Sequence, residues 1–162
     1  MLVVSDDTRN EIETTIDKAM ELYSNHDFLA LAEFETNAFI KRQIDNYHDL
    51  ESRGLEEVSK NFKVTNLCDA QYVTENNITV RIQAVLEHYI VRKEDEEVID
   101  GIREYLIGVS YLVKLEKNTS DTLKECKYCG AKIELGDQKC PYCGTPINNK
   151  NVEWLIADMI EL

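Results

Sequence analysis

Residues 126–147 read CKYCGAKIELGDQKCPYCGTPI, and this stretch decides how the rest of the chain is organised. It holds four of the five cysteines, Cys126, Cys129, Cys140 and Cys143, in the spacing C-x2-C-x10-C-x2-C. Two residues between cysteines let both thiolates reach one ion from a tight turn, and ten between the pairs leave room for a small hairpin that brings the second turn opposite the first. Zn²⁺ takes four ligands in a tetrahedron, so four thiolates close its shell and leave no position for water or substrate. The spacing therefore points to a structural zinc site, with no catalytic residue in it.

The two halves nearly repeat, since Cys126–Ile133 and Cys140–Ile147 both read C-x-Y-C-G-x-x-I. Glycine takes positive φ most readily, so Gly130 and Gly144 let each loop fold back under the metal. Ile133 and Ile147 are expected to pack beside it as a miniature core. A segment of about thirty residues buries little surface, so the metal must supply most of its folding energy. Two other chemistries use the same residues. One is a pair of disulfides, against which stands the absence of anything resembling a signal peptide. The other is a rubredoxin-like iron site, because C-x-x-C-G knuckles also hold iron; a ferric tetrathiolate is red and a zinc site colourless.

Composition sets this ribbon, residues 118–150, apart from the remainder, 1–117 plus 151–162. Both prolines, Pro141 and Pro146, fall in it, as do Gly130, Gly136 and Gly144. Its five lysines and four acids nearly balance, so almost all of the chain's net charge of −13 lies in the rest. That acidity argues against nucleic acid as a partner and against adhesion to anionic lipid, both of which attract basic surfaces. Lys124, Lys127, Lys132 and Lys139 around the knuckles form the one local exception. An apolar fraction of 43% is ordinary for a soluble globular domain. No run approaches the roughly 18 apolar residues of a membrane span.

The remainder changes period once. Ser5-Asp6-Asp7-Thr8 offers capping oxygens and first-turn acids, and Ile12, Ile16, Ala19, Met20 and Tyr23 then recur at helical steps. Asn25-His26-Asp27 breaks the pattern. A second helix is expected from about Phe28 to Ser52, with Leu31, Phe34 or Glu35, Ala38, Ile44 and Tyr47 as its stripe and Gly54 as its stop. Beyond it the period becomes two. Asn61–Val73 alternates, with Phe62, Val64, Cys68 and Tyr72 on one face. Asn76-Asn77 marks a turn. Ile78–Val91 puts Val80, Ile82, Ala84, Leu86 and Ile90 on one side. The acids Glu94–Glu97 mark an exposed turn before a third strand, Ile102–Leu115, with Tyr105, Ile107, Val109, Tyr111 and Val113 on one face. Val152–Ile160 is a fourth strand. Two helices followed by a meander of long strands predict an α+β fold, with the helices packed on one sheet face. The fourth strand must still pair, most simply with the third, which places the ribbon at the tip of that hairpin.

This order, with Ile78-Thr79-Val80-Arg81-Ile82-Gln83-Ala84, Val98-Ile99-Asp100-Gly101 and Glu153-Trp154-Leu155-Ile156-Ala157-Asp158, resembles the C-terminal domain of the Tim-44 subunit of the mitochondrial inner-membrane translocase and its bacterial relatives. These belong to the nuclear-transport-factor-2-like superfold, and some bacterial members carry a zinc ribbon before the last strand. The resemblance covers nearly the whole chain. It implies a cone-shaped domain, a role in membrane-associated protein transport or complex assembly, and no enzymatic activity. The chain departs from that pattern in having neither the basic membrane-binding helix nor a transmembrane segment.

Candidate catalytic residues are few. His88 continues the apolar face of the second strand after Leu86 and is placed to act as a general base in a cone mouth; a histidine there more commonly serves as a hydrogen-bonded rim residue. Asp69 points away from the apolar side and reads as solvated. His26 and His48 read as surface residues, and Cys68 as a small buried hydrophobe. Trp154, Tyr105 and Tyr111 could line a pocket, although aromatic strand residues usually belong to a core or interface. No phosphate loop, serine nucleophile motif or H-E-x-x-H occurs. The leading expectation is a non-enzymatic scaffold that binds a protein partner, conceivably a membrane protein, with homodimerisation through the sheet as a further option. It would be cytoplasmic, peripheral to a membrane only through that partner. The alternatives are a small-molecule pocket of isomerase or cyclase type in the same superfold and a nucleic-acid-binding ribbon.

Overall fold

The computed structural model describes residues 3–118, 125–126, 128–132, 139–145 and 152–162. Ile133, Ile147, Lys124 and Lys127, which the sequence reading assigns to the ribbon's core and basic patch, lie outside them. The order is helix α1 (Asp6–Ser24), a 3-10 turn (Ala30–Glu33), helix α2 (Asn37–Ser52), then strands β1 (Leu55–Thr74), β2 (Asn77–Arg92), β3 (Val98–Lys117) and β4 (Trp154–Glu161). The strands form one open antiparallel sheet in the order β1-β2-β3-β4. The class is α+β, as expected, and β4 pairs with β3, so the cysteine segment interrupts that hairpin.

Helix α1 begins where its sequence says. The Ser5 hydroxyl accepts from the Thr8 N–H at 3.2 Å, and Asp6 and Asp7 complement the dipole at the first turn. Its buried stripe is Ile12, Thr15, Ile16 and Ala19. Helix α2 corrects the expectation: it starts at Asn37 rather than Phe28, capped by Thr36, whose hydroxyl accepts from the Phe39 N–H at 3.4 Å. The residues before it are drawn into the sheet. Ile156 donates its N–H to the Phe34 carbonyl at 2.8 Å, and Thr36 donates to the Ile156 carbonyl at 2.9 Å, so Glu35 forms a parallel bridge to β4. That pairing fixes the backbone at Phe34–Thr36 in a form no helix can share. Ala38, read as part of the helix stripe, is exposed in consequence.

Strand β1 is longer than the alternation suggested, starting at Leu55, and it slips register against β2 four times. Asn61 occupies the left-handed region at φ 58, within the first slip between Lys60 and Lys63. Each extra residue flips the facing of those that follow. The core therefore receives Val64, then Leu67, Ala70 and Tyr72, and Cys68 stays outside it, half-buried. The sequence reading of Cys68 as a core residue is thus overturned by bulges.

Strand β2 keeps its alternation as far as Leu86, with Ile78, Val80, Ile82, Ala84 and Leu86 buried; beyond the register shift against β3 the burial changes sides, so Tyr89 and Val91 are buried and Ile90, expected on the apolar face, is half-buried. Ile78, Val80 and Ile82 pack with Ile12, Ile16, Ile40, Val113, Leu115, Trp154 and Ile156 in one cluster between the helices and the sheet. Each such side chain contributes about 1.5–3 kcal/mol by leaving water. Strand β3 begins at Val98 and bulges widely: Tyr89 pairs with Gly101 and Glu87 with Leu106, with Glu104 at φ 59 in between. Tyr105 and Ile107, expected to share a face with Tyr111 and Val113, are exposed instead.

Candidate metal centre and polar pocket

The two cysteine turns are built alike. In the first, Gly130 donates its N–H to the Cys126 carbonyl at 2.9 Å and Cys126 donates to the Ala131 carbonyl at 2.7 Å. In the second, Gly144 donates to Cys140 at 2.9 Å and Cys140 to Thr145 at 2.8 Å. Gly130 and Gly144 carry φ of 75 and 73, the left-handed value that folds each loop back on its own first cysteine. The repeated motif therefore gives a repeated geometry.

These turns bring the four sulfurs of Cys126, Cys129, Cys140 and Cys143 within 4.8 Å of one another. The Cys126–Cys143 and Cys129–Cys140 sulfur separations are 3.6 Å and 3.7 Å. Disulfide sulfurs lie about 2.05 Å apart, so no such bond links these pairs. Four sulfurs at about 2.3 Å from one zinc ion, in a tetrahedron, would lie roughly 3.8 Å from each other. The observed set fits that shape. Outer groups orient the ligands as well. The buried Thr145 hydroxyl is 2.9 Å from Cys143 Sγ, where it can donate to a thiolate, and the Tyr128 N–H donates to Cys126 Sγ at 3.4 Å.

The first turn docks on the body. Asn37 Nδ2, at the start of α2, donates to the Cys126 carbonyl at 3.2 Å, and the Tyr128 ring packs on the main core. Between them lies a cleft of about 490 Å³, lined by Asn37, Ile40, Ile44, Tyr128 and Cys129. The sequence reading missed Asn37 and Thr145. Thr145 had a faint signal, standing where the first half has Ala131. Asn37 had none, because its partner is 89 residues away.

A second group of polar side chains meets between the helices and the sheet, around a cavity of about 250 Å³ that includes Met20, Tyr23, Phe39, Glu57, His88 and Tyr111 in its wall. The Tyr23 hydroxyl donates to Glu57 Oε1 at 2.5 Å, and His88 Nε2 is 3.4 Å from Glu57 Oε2. The hydrogen bond to Glu57 holds the His88 pKa above its ordinary value. Burial pushes the Glu57 carboxyl up, but the bonds from His88 and Tyr23 outweigh it and leave the pKa lowered. Burial raises the Tyr23 phenol and pushes Tyr111 up to about 12. His88 thus lies where the alternation placed it, with a carboxylate partner that the alternation could not name. The other candidates are elsewhere: Asp69 and His48 are exposed, His26 packs on Phe28 and Tyr47, and Trp154 is a core residue against Tyr72. Tyr105 is more than half exposed.

Residues 123–147 match the family model of a zinc-ribbon domain. The chain therefore contains such a domain, and the cluster of its four cysteines is consistent with a structural metal. No family match supports the resemblance of the remaining residues to the Tim-44 domain or its superfold. A comparison with characterised proteins finds no match. Among the described residues, no helix is long and apolar enough to cross a membrane.

Proposed function

We propose that the protein is a non-enzymatic interaction module, in which a structural zinc ion holds the ribbon's two turns together and the sheet presents a surface to a protein partner. The observation that carries this reading is a run of ten consecutive exposed residues, Ile99–Gly108, that includes Ile99, Ile102, Tyr105, Leu106 and Ile107. Single exposed apolar side chains need no explanation, but five large ones within nine residues of one strand support a surface that another molecule covers. The sulfur geometry supports zinc: a closed shell of four thiolates holds structure and has no open position for chemistry. The element order supports a cone-shaped, Tim-44-like body, and with it a place in membrane-associated protein transport or complex assembly. Reduced thiols accord with the cytoplasm, and the net charge of −13 disfavours nucleic acid. A photo-crosslinking amino acid at Tyr105, introduced in the native cells, tests the reading. It should give one discrete protein adduct that Leu106→Glu abolishes and that the same label at Arg53 does not give. Absence of any adduct, or equal labelling from Arg53, would remove it.

A second reading rests on the Tyr23–Glu57–His88 group, which is polar, partly buried and faces a cavity. There His88 would move protons on a small bound molecule, as in an isomerase or cyclase. Once a substrate is found, His88→Ala should abolish turnover and leave melting nearly unchanged. Retained turnover would leave the interaction module alone standing.

A further inference from the structure

Before its first slip, strand β1 turns Glu57 and Ser59 toward the helices. Ser59 is small and stands opposite His88, so the space between α1, α2 and the sheet is left partly open, as the cavity of about 250 Å³. Its wall is apolar where Met20, Phe39, Leu86 and Met159 meet it. Its charged residues are Glu57, Glu161 and His88, with no lysine or arginine among the described residues that line it. The cations next to it in sequence are engaged elsewhere: Lys60 with Glu87 at 3.1 Å and Arg42 with Asp158 at 3.3 Å. Asp100 acts on His88 from beyond the wall and deepens the negative potential. Glu35, reached through Gln43, is kept protonated at neutral pH by burial and adds no charge. The donors of the wall are engaged too. The Tyr23 hydroxyl donates to Glu57 Oε1 at 2.5 Å, and His88 Nε2 faces Glu57 Oε2 at 3.4 Å. Gln43 Nε2 donates to Glu35 and to the Phe39 carbonyl. A carboxylate accepts about four hydrogen bonds. Glu57, with these two partners among the described residues, therefore keeps acceptor capacity on the cavity side of the fold.

We propose that this cavity binds a small organic cation, a protonated amine on a short apolar body, with its ammonium group at Glu57 and Glu161. The proposal rests on the second reading for its site, names the ligand class, and needs no turnover. An ammonium group brings three donors and a positive charge to a wall that offers acceptors and negative potential. The rings of Tyr23, Phe39 and Tyr111 add aromatic surface beside the charge, and Phe39 already holds one cation, the Arg42 guanidinium, 5.4 Å from its centre. Met20, Leu86 and Met159 would cover the apolar body, since thioethers adapt to irregular shapes. Volume limits that body: the cavity is smaller than the about 300 Å³ at which pockets for drug-sized ligands begin. An anion fits poorly, because it would meet two carboxylates and a histidine that Glu57 already holds. A neutral alcohol would keep the apolar contacts and lose the charge. His88 and the ammonium group compete for one carboxylate, and both Glu57 and His88 are partly exposed, so the exchange is open to solvent.

The test titrates the full zinc-loaded chain at neutral pH with 2-phenylethylammonium, 2-phenylethanol and phenylacetate, read by amide and methyl chemical shifts and by nuclear Overhauser contacts from ligand to protein. We expect the ammonium compound to bind about tenfold more tightly than the alcohol, as one charge-assisted hydrogen bond allows, and phenylacetate not to bind. Contacts should reach the methyl groups of Met20 and Met159. Glu57→Gln should cost about tenfold in affinity. Glu161→Gln, at an exposed residue, should cost about threefold. His88→Ala removes the competitor and should tighten binding. The proposal is overturned if the ammonium compound fails to bind, if the alcohol or phenylacetate binds as tightly, or if the contacts fall outside the cavity. Weaker binding by His88→Ala would also overturn it, since the histidine rather than the carboxylates would then hold the ligand. Where Glu57→Gln does not fold, Glu161→Gln and the three compounds on the parent chain decide. Ammonium bound and left chemically unchanged would keep this site while discarding proton transfer. Turnover of a neutral molecule without ammonium binding would discard this proposal and keep the second reading.

Discussion

Glu35 is 1% exposed, and its carboxyl pKa is pushed up to about 8 by burial, with the hydrogen bond from Gln43 opposing part of that shift. Its ordinary value is 4.5, so the folded state holds the proton more tightly than the unfolded chain. Stability from this site is complete below pH 4.5 and is lost as pH rises through about 8. Glu35→Gln keeps an oxygen for Gln43 and removes the titration. It should match the parent at acid pH and exceed it by about 5 kcal/mol above pH 8, from about 1.4 kcal/mol per pKa unit. Urea denaturation on both sides of the transition checks this; equal pH dependence in the two proteins would refute it. Gly101 allows a second comparison. At φ +79, an added Cβ would lie 2.5 Å from the His88 carbonyl oxygen, whereas at Gly54, φ +70, it would meet nothing within 4 Å. Gly54→Ala should therefore cost about 1 kcal/mol from backbone strain alone, and Gly101→Ala about 3 kcal/mol or more, since strand β2 must also give way. Melting temperatures would rank them; an equal loss would contradict the contact. The residue scale was the least legible in sequence away from the cysteines. Asn37 and Glu57 act through partners that folding brings near, and Cys68 was misplaced because bulges leave no fixed signature in a run of alternating residues.

The elements were legible where one periodicity acted alone. Helix α1 and strand β2 as far as Leu86 lie where their apolar spacing put them, because each there buries a single face. Helix α2 and β1 did not begin as expected, since the Phe34–Thr36 pairing with β4 and the Leu55–Lys60 pairing with β2 are tertiary choices. The ribbon was the most legible element, since four cysteines at fixed spacing mark a zinc-ribbon domain without any neighbour, and their sulfurs do cluster. Its neck is closed by protein alone: Asn118 donates its N–H to the Glu153 carbonyl at 2.7 Å and its Nδ2 to the Val152 carbonyl at 2.9 Å. Replacing everything between Asn118 and Val152 by a short glycine turn should therefore keep the sheet folded. The loss should be about 2–3 kcal/mol, from the Asn37–Cys126 bond and the Tyr128 contact with the core. Denaturation of the shortened chain measures this, and failure to fold would show that the ribbon is part of the body's core.

At the scale of the molecule, an acidic helix-backed sheet with its own core carries a small, nearly neutral segment in which four cysteine sulfurs cluster. The body's core of isoleucines, valines, Leu115 and Trp154 includes no cysteine ligand, while Cys126 and Cys140 form a separate buried pair with Tyr128, Ala131 and Cys143 around them. Two cores with different sources of stability should come apart in order. The apolar core does not depend on the ion; the ribbon, too short to bury much surface, does. The most direct measurement is the amide spectrum of the zinc-loaded protein before and after a strong chelator. The account predicts one zinc released per chain, loss of the dispersed resonances of Cys126–Lys132 and Lys139–Thr145, and retention of those of β1, β2 and β4. Small shifts should appear near Asn37. Collapse of the whole spectrum on zinc removal, or an unchanged ribbon after it, would contradict the central claim that the metal is structural and local.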